Sequence, residues 1–158
     1  MATIIKGVGF GATLLGGFAG GLVARAYPLS VSLWIGGILQ TLTILAFSLQ
    51  AVVGKDAAML TFAITVESFT GAIGTVIFVA YLSALCGNPL HTATQYALLT
   101  ALAALGRTIF SLGTGFVAHA TGWSWFFVIC AASAIPSFVL LAFLQRRGHF
   151  DGLGAPRI

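Results

Sequence analysis

Two residues dominate the chemistry this sequence offers, Glu67 and Arg107. Each stands inside a long apolar stretch otherwise free of charge, the first in residues 58–86 and the second in 93–118. A charge at the centre of a hydrocarbon layer costs about +2.5 to +3.5 kcal/mol on insertion scales, so it is kept where it faces a protein interior or a watery cavity. The two charges fit either a buried ion pair that ties neighbouring helices together or a path for a solute or proton. Thr65, Ser68, Thr70 and Thr75 add polarity around Glu67, although such hydroxyls also satisfy themselves on the backbone one turn back. Gln95 and Tyr96 open the stretch that holds Arg107, and Gln40 sits alone in another apolar run, where it reads as interhelical glue. His91 and His119 fall in turns. The sequence has no HExxH, no Ser/His pairing of an intramembrane hydrolase and no His/Cys/carboxylate grouping with metal spacing. It therefore reads as no enzyme, with no metal and no cofactor.

The elements that must position these residues follow from composition. Hydrophobic residues make up 59% of the chain, only 6% of residues are charged, and the mean hydropathy is +1.06. A soluble domain carries about 25% charge. Too little polar surface is present to coat a globule in water, so the solvent must be lipid. Five apolar blocks follow one another, at about 6–23, 31–53, 58–86, 93–118 and 123–144. Each approaches the ~20 residues that span a bilayer as helix, and their lengths and period do not suit a barrel. The expected fold is an all-α membrane protein of about five transmembrane helices, with residues 1–147 forming the bundle and 148–158 a cytoplasmic tail. Breaks come at Arg25-Ala26-Tyr27-Pro28, Gly54-Lys55-Asp56, Gly87-Asn88-Pro89, Gly122 and Gln145-Arg146-Arg147. Trp34, Trp123 and Trp125 sit at block ends, where indole rings favour the membrane interface. Cys86 and Cys130 have no metal-ligand spacing and read as small packing residues. The first block is nearer spanning length than signal-peptide length.

Basic residues set the orientation. With the C-terminus in the cytoplasm, the inner side carries Arg25, Arg146, Arg147 and Arg157, and the outer side Lys6 and Lys55. The net charge of +4 is spread over loops, which suits topology and not nucleic-acid binding. This layout puts only a short tail outside before the first helix, as expected of a piece of a longer protein. Consecutive helices run antiparallel, so Glu67 and Arg107 both lie about 14–17 Å from the outer surface and are able to meet. Gly7 and Gly11, Gly16 and Gly20, and Gly17 and Gly21 stand four apart, as do Ala93, Ala97 and Ala101. Each set makes a flat stripe where another backbone can approach. Pro136 lies within the last block and should kink it.

Three stretches carry a family resemblance. The run from Val66-Glu67-Ser68-Phe69-Thr70-Gly71 to Thr75, then Phe78 to Cys86, resembles the AmpG muropeptide permeases of the major facilitator superfamily. So do Ala93-Thr94-Gln95-Tyr96-Ala97-Leu98-Leu99 with Leu105-Gly106-Arg107, and Gly20-Gly21 before Arg25. Thr121-Gly122-Trp123 and Pro136 fit the last helix. The resemblance implies a proton-driven carrier of the bacterial inner membrane. Its substrate would be GlcNAc-anhydroMurNAc and its peptides, a flux that feeds cell-wall recycling and signals β-lactamase induction in some bacteria. It also implies that the five blocks are helices eight to twelve of a twelve-helix core, with eight, ten and eleven around the cavity and nine and twelve outside. Carried over position by position, Glu67, Arg107 and Lys6 match the family's charged positions, with Ser68, Thr75 and Gln95 on the transport pathway. Gly20, Gly21 and Arg25 would form a cytoplasmic gating loop. Two positions depart from the pattern: Ser68 is usually Asn, and Ala24 is often Asp in related carriers. On this reading the partners are muropeptide, protons, the bilayer and an N-terminal transporter half, either separate or lost. The chain alone would then be an inactive C-terminal fragment, and a non-transporting scaffold is the alternative.

Overall fold

The computed structural model describes residues 2–53, 57–87 and 90–153. Helices α1 (Ala2–Ala26), α2 (Leu29–Val53), α3 (Ala57–Leu85) and α4 (Thr92–Leu112) are followed by the shorter α5 (Thr114–Thr121), α6 (Trp123–Ala132) and α7 (Ala134–Arg146). Among the described residues there is no strand. Five stretches are long and apolar enough to cross a membrane: Gly7–Ala26, Leu29–Phe47, Ala58–Leu85, Thr92–Leu112 and Trp125–Arg146. Helix is the form that satisfies every backbone group within one segment, as lipid requires. Large side chains such as Phe10, Phe18, Leu102 and Phe110 stand mostly exposed, which is the surface of a protein solvated by hydrocarbon. The chain is an all-α, multi-pass membrane protein.

Two expected helices are broken. The stretch 93–118 stops as α4 at Leu112, turns at Gly113 and resumes as α5. The stretch 123–144 breaks at Ser133 into α6 and α7. Pro136 is the physical cause of that second break. Its ring would clash with the carbonyl four residues back, so the ladder is interrupted just before it and Pro136 falls in the first turn of α7, where its missing N–H is not needed. At Gly122 the backbone adopts φ +80, a left-handed value that glycine reaches without strain, and this turns the chain from α5 into α6.

The junction of α1 and α2 is also built from local chemistry. A helix leaves its last carbonyls without partners, and the fully buried Ser32 hydroxyl lies 3.3 Å from Val23 O and 3.4 Å from Tyr27 O. Gly20, Gly21 and Arg25 all lie inside α1, whose helical turns run to Ala26. The expected gating loop is therefore corrected to helix, and the connection itself is only Tyr27-Pro28.

Helix α3 occupies the centre. It packs on α1 along one side and on α2 along the other, while α6 and α7 cover the far side of α2. The α1 contact uses one of the glycine stripes. A methyl group at Gly16 would collide with the Phe69 carbonyl, and one at Gly20 would lie 2.9 Å from Ile73 Cα. Gly7, Gly11, Gly17 and Gly21 have open space beside them. On the other side Gly36 approaches Gly74, with 3.5 Å from a methyl built on Gly36 to Gly74 Cα. Thr43 and Thr70 hydrogen-bond across the same interface at 3.0 Å, buried. Helix α4 is held differently: it touches α3 only lightly and has no buried residue.

Side-chain contacts fix which ends lie together. Trp34 Nε1 donates to Gln145 Oε1 at 3.1 Å and its ring stacks on Phe138. Tyr81 Oη meets His149 Nε2 at 3.2 Å. The start of α2, the end of α3 and the end of α7 therefore share one side, as an up-and-down bundle demands. His149 lies in the turn that follows α7, so residues 147–153 fold back on α3 through Tyr81 and Phe150.

Candidate functional site

Glycines make the space in which the polar residues gather. Gly36, Gly37, Gly71 and Gly74 line an open cleft of about 360 Å³ between α2 and α3, although the side-chain position of Gly37 is itself taken up by the Phe138 ring of α7. Leu33, Ile77 and Phe78 supply apolar walls, Gln40 and Thr75 are polar, and Arg107 closes it from α4. Four of the five α3 members, at 71, 74, 75 and 78, share one helical face, and Glu67 continues that face one turn earlier in the helix. A methyl group built on Gly71 would lie 3.8 Å from Gln40 Oε1 and 4.0 Å from Glu67 Oε1, so both polar groups border this spot.

Glu67 and Arg107 are both exposed side chains of this chain. Among the described residues neither side chain makes an ion pair or hydrogen bond. The reason is an offset along α3. Arg107 lines the stretch from Gly71 to Phe78, roughly one to three turns past Glu67 at 3.6 residues per turn. Glu67 is ten residues into α3, about 15 Å at 1.5 Å per residue. The charges thus flank one cleft without closing on each other, and a brace between two helices is not what the geometry presents.

The other sequence candidates separate. Thr75 lines the cleft, and its hydroxyl donates to Gly71 O at 2.8 Å. Ser68 faces the other way: its Oγ is 3.5 Å from a methyl built on Gly9 of α1. Gln95 lies twelve residues before Arg107, about 18 Å along the helix, and does not reach the cleft. Its Oε1 is enclosed without a hydrogen-bond partner among the described residues. Gly20 is a packing contact to Ile73. Arg25 is exposed in the last turn of α1, where a cation suits the helix dipole. Lys6 belongs to α1, and its side chain lies outside the described set.

Sequence reasoning missed the contribution of α2. The resemblance puts the helix corresponding to α2 outside the cavity, yet Leu33, Gly36, Gly37 and Gln40 all border the cleft. A signal for this was present. The Gly36-Gly37 pair followed by Gln40 falls on one helical face, and a small-residue patch beside an amide marks a close and polar helix contact.

No protein-family model matches the chain. Individual relatives do. AmpG 4 of Rickettsia felis is 36% identical over 147 residues, covering 93% of this chain and 35% of the relative. The anhydromuropeptide permease of Escherichia coli K12 is 36% identical over 141 residues, covering 89% of this chain and 28% of that protein. AmpG 1 of Rickettsia prowazekii is 31% identical over 141 residues, covering 89% of this chain and 32% of its own length. The chain spans about a third of the length of these curated relatives, and AmpG proteins are major facilitator superfamily transporters. This chain is an AmpG-like membrane sequence, related to the anhydromuropeptide permeases over about nine tenths of its own length.

Proposed function

We propose that this chain forms part of a proton-coupled permease that brings anhydromuropeptides into the cytoplasm, and that it acts as a carrier and not as an enzyme. The observation that carries the reading is the pair of unpaired intramembrane charges, Glu67 and Arg107, flanking one cleft that also holds Gln40 and Thr75 in a chain related to a permease of that substrate class. Intramembrane charges without partners mark solute and proton paths. Arg107 is suited to bind the carboxylates of a muropeptide, and Glu67 to take up and release the proton.

Alternating access needs two bundles that rock about a midplane site, so five helices transport only together with the rest of a permease. That remainder comes from a longer form of this chain or from a separate N-terminal half. The carrier sits in the bacterial inner membrane with Arg25, Arg146 and Arg147 on the cytoplasmic side, in accord with the positive-inside rule. The flux would supply cell-wall recycling and, where the circuit exists, the signal for β-lactamase induction.

The test is uptake of labelled GlcNAc-anhydroMurNAc in cells lacking their own permease, expressing this chain with the N-terminal two thirds of a relative. Accumulation that follows the proton gradient is expected, and Glu67→Gln should abolish the dependence on external pH. Uptake by Glu67→Gln with the parent's pH dependence would refute the role of Glu67.

A further inference from the structure

We infer that Gln40 of α2 is the positioning residue of Glu67, reaching its carboxyl through the gap that Gly71 leaves in α3. The inference deepens the proposed function and takes from it only that Glu67 changes protonation. Gly71 is the common neighbour: a methyl group there would lie 3.8 Å from Gln40 Oε1 and 4.0 Å from Glu67 Oε1. The two side chains therefore border the same glycine, Gln40 from α2 and Glu67 from the preceding turn of α3. Among the described residues neither the Gln40 amide nor the Glu67 carboxyl has a hydrogen-bond partner, and both lie well inside their membrane-spanning stretches. Polar groups left unpaired at that depth are costly, which favours their meeting.

The chemistry of the amide explains why glutamine suits this place. Nε2 donates two hydrogen bonds and Oε1 accepts. Toward the ionised carboxylate the amide donates from Nε2. Toward the protonated acid it accepts the carboxyl O–H at Oε1. A half-turn of the amide therefore serves both forms, as a group that loads and unloads a proton requires. A hydroxyl that donates to its own backbone, as Thr75 does to Gly71 O, has already committed its one hydrogen. The charged surroundings are few. Arg107 faces the same stretch from α4, which also carries Tyr96 in its first turns; α2 has no ionisable residue over Leu29–Val53. On α3 the other ionisable side chain of the helix is Tyr81, some 14 residues away and about 21 Å along the axis. α1 contributes Arg25 at its far end and Lys6, whose side chain lies outside the described set.

The test uses the full chain in membranes and does not depend on transport. The apolar reagent dicyclohexylcarbodiimide attacks protonated carboxyls within a bilayer. Glu67 is the one carboxyl in the apolar blocks, the others being Asp56 and Asp151, and mass spectrometry assigns the adduct. The readout is the pH profile of Glu67 labelling. Hydrogen bonds to charged groups exceed those to neutral ones, so losing the amide penalises the carboxylate more than the acid. In Gln40→Leu the profile should move to higher pH by about one unit. Gly71→Ala should move it the same way with Gln40 intact, because the methyl group screens amide from carboxyl. That variant adds only ordinary van der Waals contacts and improves helix propensity, so it serves if Gln40→Leu fails to insert. Profiles unchanged in both variants, or no labelling of Glu67 at any pH, would overturn the inference. Failed uptake with the labelling shift intact would remove the transport reading and leave the pairing of Gln40 with Glu67 standing.

Discussion

Alanine at Gly16 and alanine at Gly17 are the same chemical change one residue apart, and they should have opposite consequences. Gly16 faces α3, where a methyl group would collide with the Phe69 carbonyl, come within 2.9 Å of Phe69 C and 3.0 Å of Ala72 Cβ. Two of those three atoms are backbone and cannot swing aside, so α1 must move off α3 as a body. Gly17 has open space beside it. Both changes gain the same intrinsic propensity, about 0.8–1.0 kcal/mol in a helix interior, and this cancels in the comparison. What remains is the overpacking cost at Gly16, about 1–3 kcal/mol. That difference corresponds to about a fivefold to more than a hundredfold change in the folded-to-unfolded ratio. The assay is equilibrium unfolding of the purified chain in mixed micelles, read by fluorescence of Trp34, Trp123 and Trp125, with parent and both variants side by side. Gly20→Ala against Gly21→Ala repeats the experiment one turn on, because Gly20 meets Ile73 at 2.9 Å and Gly21 meets nothing. Equal stabilities within each pair would refute the claim that α1 seats on α3 through Gly16 and Gly20.

Two further perturbations test contacts at other depths. Thr43→Val removes one side of the buried 3.0 Å bond between α2 and α3 and should cost only about 0.6 kcal/mol, the average for interhelical hydrogen bonds in membranes. Each hydroxyl also lies 2.9 Å from its own backbone, Thr43 at Leu39 O and Thr70 at Val66 O, and Thr70 is 3.3 Å from Glu67 O as well, so two hydrogens serve four contacts and little is lost; a cost well above 2 kcal/mol in the same micelle assay would refute this. At the C-terminal end of α3, Tyr81→Phe keeps the ring beside Phe150 and deletes the hydroxyl that meets His149. Losing a net ~0.5–1.5 kcal/mol should speed trypsin cleavage after Arg146 and Arg147 about two- to tenfold, and an unchanged rate would mean that the contact does not hold the turn.

Much of this architecture is legible in the sequence because lipid permits few solutions. An apolar run of ~20 residues must be helix to satisfy its backbone, and five such runs became five spans. Pro136 announces a break, since its ring forbids an uninterrupted ladder. Rotation about a helix axis is harder to read. Gly16 and Gly17 differ by 100° of rotation, and both belong to stripes of the same spacing, so spacing alone cannot say which faces α3. The same difficulty applies to Ser68, which neighbours Glu67 in sequence but turns toward Gly9. The Tyr81–His149 contact joins residues 68 apart, and an aromatic at a helix end with a histidine in a tail gives no sign of pairing.

The placement of the charges argues about their purpose. A stabilising ion pair needs close geometry, because both partners must recover their desolvation cost from each other. Here Arg107 comes from α4, which has no buried residue and touches α3 only lightly. It lines a cleft bordered by Gly36, Gly37, Gly71 and Gly74. A chain selected for a brace would fill that space and bring Glu67 and Arg107 to one depth. Instead the best-packed surfaces of α3, against Gly16, Gly20 and Thr43, carry no charge, while the face left open carries Glu67, borders Gln40 at Gly71 and is lined further along by Arg107. Tight packing on two sides holds α3 in place while its third face stays open, and that is the arrangement the proposed role of Glu67 would use.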